Sequence, residues 1–96
     1  MQYRDLIYRI HARQSMFTRS ISDECVEYIL QHGEVFEDYP HAFPYPAKLL
    51  LGRYNERPIH VVAAENRDKQ QVIVITAYEP TIDKWESDMK TRRKHS

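Results

Sequence analysis

The sequence has few of the residues that common functional motifs require. Cys25 is the single cysteine, which excludes an internal disulfide and any cysteine-rich zinc site. Two glycines are too few for a glycine-rich phosphate loop. No apolar run approaches the length of a membrane span, and charged side chains interrupt residues 1–20, unlike a signal peptide. We therefore expect a cytoplasmic protein without a membrane anchor.

Metal-binding and cofactor-binding patterns are equally scarce. The five histidines form no H-x-x-x-H pair and have no clustered acids beside them. We therefore predict no metal and no cofactor.

The net charge is zero, but the charges are unevenly placed. The chain has 14 basic and 14 acidic residues among 96, which argues against binding nucleic acid by bulk charge. Residues 1–20 carry four arginines, residues 22–39 carry six acids and no Lys or Arg, and residues 81–96 form a basic extension. Such asymmetry can build a local basic patch on a single domain spanning residues 1–96.

Apolar spacing predicts two N-terminal helices. In residues 3–18, Leu6, Ile7 and Ile10 fall within one apolar arc at helical spacing. Residues 23–32 have the same kind of pattern, preceded by Ser22 as a capping residue and followed by a glycine.

The second half of the chain predicts strands. Residues 48–52, 58–64 and 71–78 are rich in Leu, Ile and Val and are separated by short turns, which favours antiparallel neighbours. Residues 34–39 are a weaker strand candidate, and residues 83–91 are a candidate short helix. The expected architecture is α+β, with two N-terminal helices packed on a three- or four-stranded antiparallel sheet.

Candidate catalytic groups are an imidazole or a hydroxyl in each case. His11 lies on the flank of the first predicted helix, and His60 lies on a predicted middle strand, where each can exchange protons near neutral pH. Thr76 and Tyr78 share one face of the last predicted strand, where two hydroxyls can orient a phosphoryl group. Each has a structural alternative, namely a hydrogen-bonded core histidine or ordinary strand composition.

Basic and aromatic side chains suggest where RNA would bind. The turn GRYNER places two guanidiniums beside an aromatic ring, which can contact phosphates and stack a base. The predicted RNA-binding residues are Arg4, Arg53, Tyr54, Arg57, Arg92 and Arg93.

An ordered series of motifs resembles a known bacterial family. The series is HARQSMFTRSIS, HGEVFEDYP, PYP, LLLG, RPIHVV, ITAYEP and a tryptophan before TRR. It resembles a bacterial family of unknown function that is similar to the RelE- and BrnT-like toxins of the barnase–EndoU–colicin–RelE superfamily. The resemblance implies a RelE- or barnase-like fold and metal-independent cleavage of RNA by a toxin. It also implies a cognate antitoxin as partner, of the MqsA-like zinc-finger kind.

The resemblance also implies catalytic positions. It assigns His11 and Arg13 of the HAR motif, a basic or histidine residue on a middle strand, and a hydroxyl on the last strand. His60 fits the middle-strand position, and Thr76 or Tyr78 fits the last.

Three functions stay open on the sequence alone. A toxin-like ribonuclease requires His11, Arg13, His60 and Thr76 to converge in one cleft. A non-catalytic module binds RNA or an acidic partner through its basic ends. A protein-interaction subunit pairs through an exposed strand edge or the acidic second helix.

Overall fold

The structure, a computed structural model, describes residues 1–94. Its elements are β1 (Asp5–Tyr8), α1 (Ile10–Thr18), α2 (Asp23–His32), β2 (Glu34–Tyr39), β3 (Ala47–Tyr54), β4 (Arg57–Asn66) and β5 (Gln71–Tyr78). The strands form one sheet in the order β1-β5-β4-β3-β2. β1 runs parallel to β5, and the other neighbouring strands are antiparallel. Residues 95 and 96 of the predicted basic extension lie outside the described residues.

The predicted fold class is therefore wrong in the number and direction of its strands. The sheet within residues 1–94 has five strands and is mixed, whereas the sequence pattern predicted three or four antiparallel strands. The domain is still α+β, and the second helix is confirmed at Asp23–His32.

The first predicted helix, over residues 3–18, is wrong in its first half. Residues 5–8 form β1, and helix α1 begins only at Ile10. Within the supposed apolar arc, Ile7 is 41% and Ile10 is 75% exposed, and only Leu6 packs against the core. The buried residues of α1 are Ala12 and Met16. Residues 5–8 form a strand because they pair in parallel with β5. A local sequence pattern cannot reveal this partner, which lies more than 60 residues away.

Helix α2 forms where its local signals place it. The Ser22 hydroxyl accepts a hydrogen bond from the Cys25 amide at 3.1 Å, which caps the first turn. Val26, Ile29 and Leu30 are buried against the sheet. A Cβ at Gly52 of β3 would lie 2.5 Å from Ile29, so this glycine allows the helix to approach closely.

The two faces of the sheet are covered differently. α1 and α2 pack on one face over Leu50, Ile59, Val61 and Val74, all nearly inaccessible to solvent. The opposite face is covered partly by the proline-rich loop before β3, where Tyr45 packs near Ala47, Ala64 and Ile73.

The C-terminal segment, residues 81–94, covers the rest of that opposite face. It forms turns and an isolated bridge between Trp85 and Arg92, so the helix predicted over residues 83–91 is wrong. The Asp88 carboxylate accepts hydrogen bonds from the Lys90 amide at 2.9 Å and the Thr91 amide at 3.0 Å, which fixes the turn and lowers the pKa of Asp88. Within residues 1–94, no helix has both the length and the apolarity needed to cross a bilayer.

Candidate functional site

A cleft of about 590 Å³ opens at the end of β5, between α1 and the C-terminal segment. We call it the C-terminal cleft. Its lining consists of Ser15, Arg19, Thr76, Tyr78, Glu79, Pro80, Thr81, Lys84, Trp85, Arg92 and Arg93. The cleft lies there because β1 pairs only with residues 71–74, which leaves the last half of β5 without a neighbouring strand on that side. Ser15 anchors α1 beside it by donating a hydrogen bond to the Ala77 carbonyl at 2.7 Å.

The charge of the C-terminal cleft is positive. Its lining has four basic side chains and one acid, Glu79, which already pairs with Arg57 at 2.9 Å. Arg92 binds Glu37 through two nitrogens, and Arg93 pairs with Glu86 at 3.1 Å. Within the described part of the chain, Arg19 and Lys84 take part in no ion pair.

Arg92 is held at the cleft wall by two kinds of contact. The Glu37 carboxylate raises the pKa of Arg92 above its ordinary value, and Arg92 in turn lowers the pKa of Glu37. The guanidinium also lies 4.8 Å from the centre of the Trp85 ring. The side chain is therefore oriented before any ligand binds.

Tyr78 connects the cleft to a buried histidine. Its hydroxyl lies 3.1 Å from Nδ1 of His60, whose Nε2 lies 2.7 Å from the Met89 carbonyl oxygen. A carbonyl can only accept, so Nε2 of His60 carries a proton, and the unprotonated Nδ1 of the neutral ring accepts from Tyr78. The tautomer is thus set by the C-terminal segment.

The surroundings of His60 keep its ring neutral. It is completely buried, with Trp85, Phe36 and Tyr78 rings at centroid distances of 4.5, 5.1 and 5.2 Å. Burial lowers the pKa of His60, and the hydrogen bond to Met89 opposes that shift only in part. Burial also raises the pKa of Tyr78, so its phenol stays protonated near neutral pH.

The other predicted catalytic residues lie outside this cleft. His11 is exposed and lines a separate groove of about 600 Å³ beside β1. It precedes Ser15 by one helical turn, which brings it within roughly 6 Å of the cleft wall along α1. Arg13 lies 3.9 Å above the Tyr8 ring and is paired with Asp23. His11, Arg13, His60 and Thr76 therefore do not converge in one cleft, so a ribonuclease of this fold would have to use the groups that line the C-terminal cleft instead of that set.

Tyr8, the half-buried partner of Arg13, has an inaccessible hydroxyl. Burial raises the pKa of the Tyr8 phenol to about 12, and its oxygen has no hydrogen-bond partner within the described residues. The Arg13–Tyr8 contact therefore contributes to the packing of α1 on β1. The Arg13 guanidinium already interacts with the Tyr8 ring and with Asp23.

The predicted RNA-binding residues are dispersed. Arg92 and Arg93 line the C-terminal cleft, whereas Arg4 lines a different pocket near Gln31. Arg57 is fully engaged, because it binds Glu79 and the carbonyls of residues 19 and 20. The other two stay on the hairpin: Arg53 is exposed, and the Tyr54 ring packs 5.5 Å from that of Tyr28.

Sequence reasoning missed Ser15, Arg19, Lys84 and Trp85. The basic residues in 81–96 suggested that Lys84 could bind an anion, but no local sequence pattern indicates that this segment lies beside α1. Within residues 1–94, no group of three or more His, Cys, Asp or Glu side chains is placed to hold a metal ion.

Fold and cleft together define a small α+β domain with a basic, hydroxyl-lined cleft at one end of its sheet. The family model described as "Domain of unknown function (DUF4258)" matches residues 8–79, three quarters of the chain, so the chain belongs to this family. No curated protein and no solved structure matches the chain. The match ends before the C-terminal segment, which carries Lys84, Arg92 and Arg93.

Proposed function

We propose that the C-terminal cleft binds single-stranded RNA and that the protein cleaves it without a metal ion. The observation that carries the proposal is the lining of the cleft, where four cations and several hydroxyls surround one neutralised acid. Cations and hydroxyl donors are the ligands that phosphate oxygens require. Arg19 and Lys84 support the proposal most strongly, because no ion pair within the described chain occupies them.

The cleft suits a nucleic-acid backbone better than an individual base. Trp85 is only 5% exposed and one of its faces is covered by Arg92, so it offers no stacking platform. We therefore expect contacts to phosphates and weak dependence on base sequence.

The cleavage step uses the 2′-hydroxyl of the RNA as its nucleophile. Tyr78 takes the proton of this hydroxyl while its own proton moves to Nδ1 of His60, and the O2′–P bond forms. The P–O5′ bond breaks, and the leaving O5′ takes a proton from the Lys84 ammonium group. Arg19 stabilises the charge on the phosphorane. The products are a 2′,3′-cyclic phosphate and a 5′-hydroxyl.

The environment of His60 limits the rate of the proton transfer from Tyr78. Its lowered pKa makes the protonated ring costly, although the Met89 carbonyl stabilises that form. General acid–base assistance contributes about 10²–10⁴-fold, so we expect a slow ribonuclease. His11 and Thr76 remain predicted contributors, His11 from the adjoining groove and Thr76 from the cleft wall.

A non-catalytic RNA- or protein-binding module is the second candidate. It is favoured by the complete burial of His60, both of whose ring nitrogens already have partners. Under this alternative the imidazole only holds the C-terminal segment on the sheet.

One oligonucleotide experiment separates the two candidates. The substrate is a DNA strand with a single ribonucleotide, incubated with the protein in EDTA, and the all-DNA strand is the control. We expect cleavage only after the ribonucleotide, loss of cleavage but retained binding in Tyr78→Phe, and no effect of Tyr28→Phe on α2. Binding without cleavage would favour the non-catalytic module, and absence of binding would reject the proposal.

The proposed cellular role is that of a cytoplasmic toxin neutralised by a cognate antitoxin, of the MqsA-like zinc-finger kind. The support for this role is the motif series in the sequence, together with a lone cysteine that suits a reducing compartment. Induced expression should arrest growth, and Tyr78→Phe should relieve the arrest. Normal growth of cells that accumulate the folded wild-type protein would contradict this role.

A further inference from the structure

The two edges of the sheet are protected to different degrees. At β2, the C-terminal segment places Lys90 against Glu34 and Arg92 against Glu37, and a bulge interrupts the ladder between Val35 and Glu37. Charged partners and bulges are devices that keep an edge strand from pairing with another chain.

The edge at β1 has no bulge, and no ion pair to another segment covers it within the described residues. Ile7 is 41% exposed at its centre, and neither Asp5 nor Arg9 takes part in a side-chain hydrogen bond or ion pair within residues 1–94. The extended conformation continues through Arg9, where φ is −72° and ψ is 157°. The edge is therefore a short strand with an apolar centre and a free charge of opposite sign at each end.

The hydrogen bonds to β5 show which main-chain groups are available. The Asp5 amide donates to the Gln70 carbonyl at 3.3 Å, and the Arg9 amide donates to the Val74 carbonyl at 3.0 Å. Main-chain groups of successive residues point to opposite sides of a strand. The amides and carbonyls of Leu6 and Tyr8 therefore face away from β5.

We propose that this edge is a self-association surface, on which β1 pairs antiparallel with β1 of a second copy of the chain. The two-fold axis passes beside Ile7, so Ile7 of each copy faces Ile7 of the other. Leu6 of each copy then exchanges main-chain hydrogen bonds with Tyr8 of the other, and the two sheets become continuous.

Charge complementarity selects this register and this occupant. Asp5 of one copy lies opposite Arg9 of the other, and the symmetry repeats the pair at the opposite end. A register shifted by two residues in either direction places Ile7 opposite a charged residue, Asp5 or Arg9, of the other copy. The antiparallel register centred on Ile7 is the one in which both charges and both isoleucines match.

Charge reversal tests the surface directly, with sedimentation equilibrium of the full chain as the readout. Asp5→Arg places Arg opposite Arg9, and Arg9→Asp places Asp opposite Asp5, so each should weaken the dimer roughly tenfold or more. The double variant restores opposite charges and should recover the wild-type affinity. Asp68→Arg in the β4–β5 turn is the matched control and should have no effect.

A cross-link keeps the proposal testable if a charge variant folds poorly. Facing residues in a non-hydrogen-bonded antiparallel pair have Cα atoms about 4.5 Å apart, within the range that a disulfide spans. Ile7→Cys should therefore form an oxidised dimer, whereas Phe17→Cys, exposed on α1, should not. A monomeric wild type at all concentrations, or a double variant no tighter than the single ones, would overturn the proposal. RNA binding is measured separately and does not depend on this result.

Discussion

The salt dependence of RNA binding gives a quantitative test of the C-terminal cleft. For single-stranded nucleic acid, each neutralised phosphate contributes about −0.7 to the slope of log K against log salt concentration. Arg19 and Lys84 are the cleft cations without an ion pair in the described chain, so a slope of about −1.4 is expected. Raising the salt from about 50 to about 200 mM should then weaken binding roughly sevenfold.

Lys84→Ala should remove one of these contacts. The slope should fall to about −0.7 and the same change of salt should weaken binding only about threefold. Fluorescence anisotropy of a labelled single-stranded RNA measures both quantities. Lys69→Ala is the control, because Lys69 lies in the turn at the opposite end of β5 from Tyr78. If Lys84→Ala and Lys69→Ala leave the slope equally unchanged, the cleft does not bind the phosphates.

Three further predictions concern stability. The pKa of His60 is lower in the folded protein than in the unfolded chain, so the unfolded chain binds more protons than the folded protein near pH 6. The contribution of neutral His60 to the free energy of unfolding is therefore fully present above about pH 6.5. It is lost as the pH falls towards the pKa of His60 in the folded protein. His60→Asn should flatten the fall in Tm between about pH 7 and pH 5, and an unchanged fall would contradict this prediction. Gly52→Ala should lower the free energy of unfolding by about 1–3 kcal/mol in urea titrations, because its Cβ would collide with Ile29; an unchanged midpoint would contradict the close helix approach. Ser22→Ala should cost about 1 kcal/mol by the same assay, and no loss would show that the cap is dispensable.

Helix α2 could be predicted because its determinants are local. Ser22 caps it, Val26, Ile29 and Leu30 recur at helical spacing, and Gly33 follows its last residue. The strands from β3 to β5 were also predictable, since short turns join them. Asn55 and Glu56 both have positive φ, 51° and 67°, as a two-residue hairpin turn requires.

Strand β1 could not be predicted because its apolar residues suit either a helix or a strand. Leu6 and Ile7 fit a helical arc, and only hydrogen bonding to β5 decides between the two. The helix prediction for residues 83–91 in the C-terminal segment failed for a similar reason. Burial of Trp85 against His60 and Phe36 draws the chain into turns where local spacing favoured a helix.

The candidate site was predictable in part. Thr76 and Tyr78 share the cleft because they lie two residues apart on one strand, which is a local property. The partners Arg19 and Lys84 come from segments that meet only in the folded chain. His60 was correctly placed on a middle strand, but its burial beneath the C-terminal segment depends on contacts with residues about 25 or more positions away.

The most direct test of the central claim is an NMR titration of the ¹⁵N-labelled protein with a short single-stranded RNA. We expect the largest amide shift changes at Ser15, Thr76, Tyr78 and Lys84, which line the C-terminal cleft. Changes concentrated in the β4–β5 turn, or no changes at saturating RNA, would contradict it.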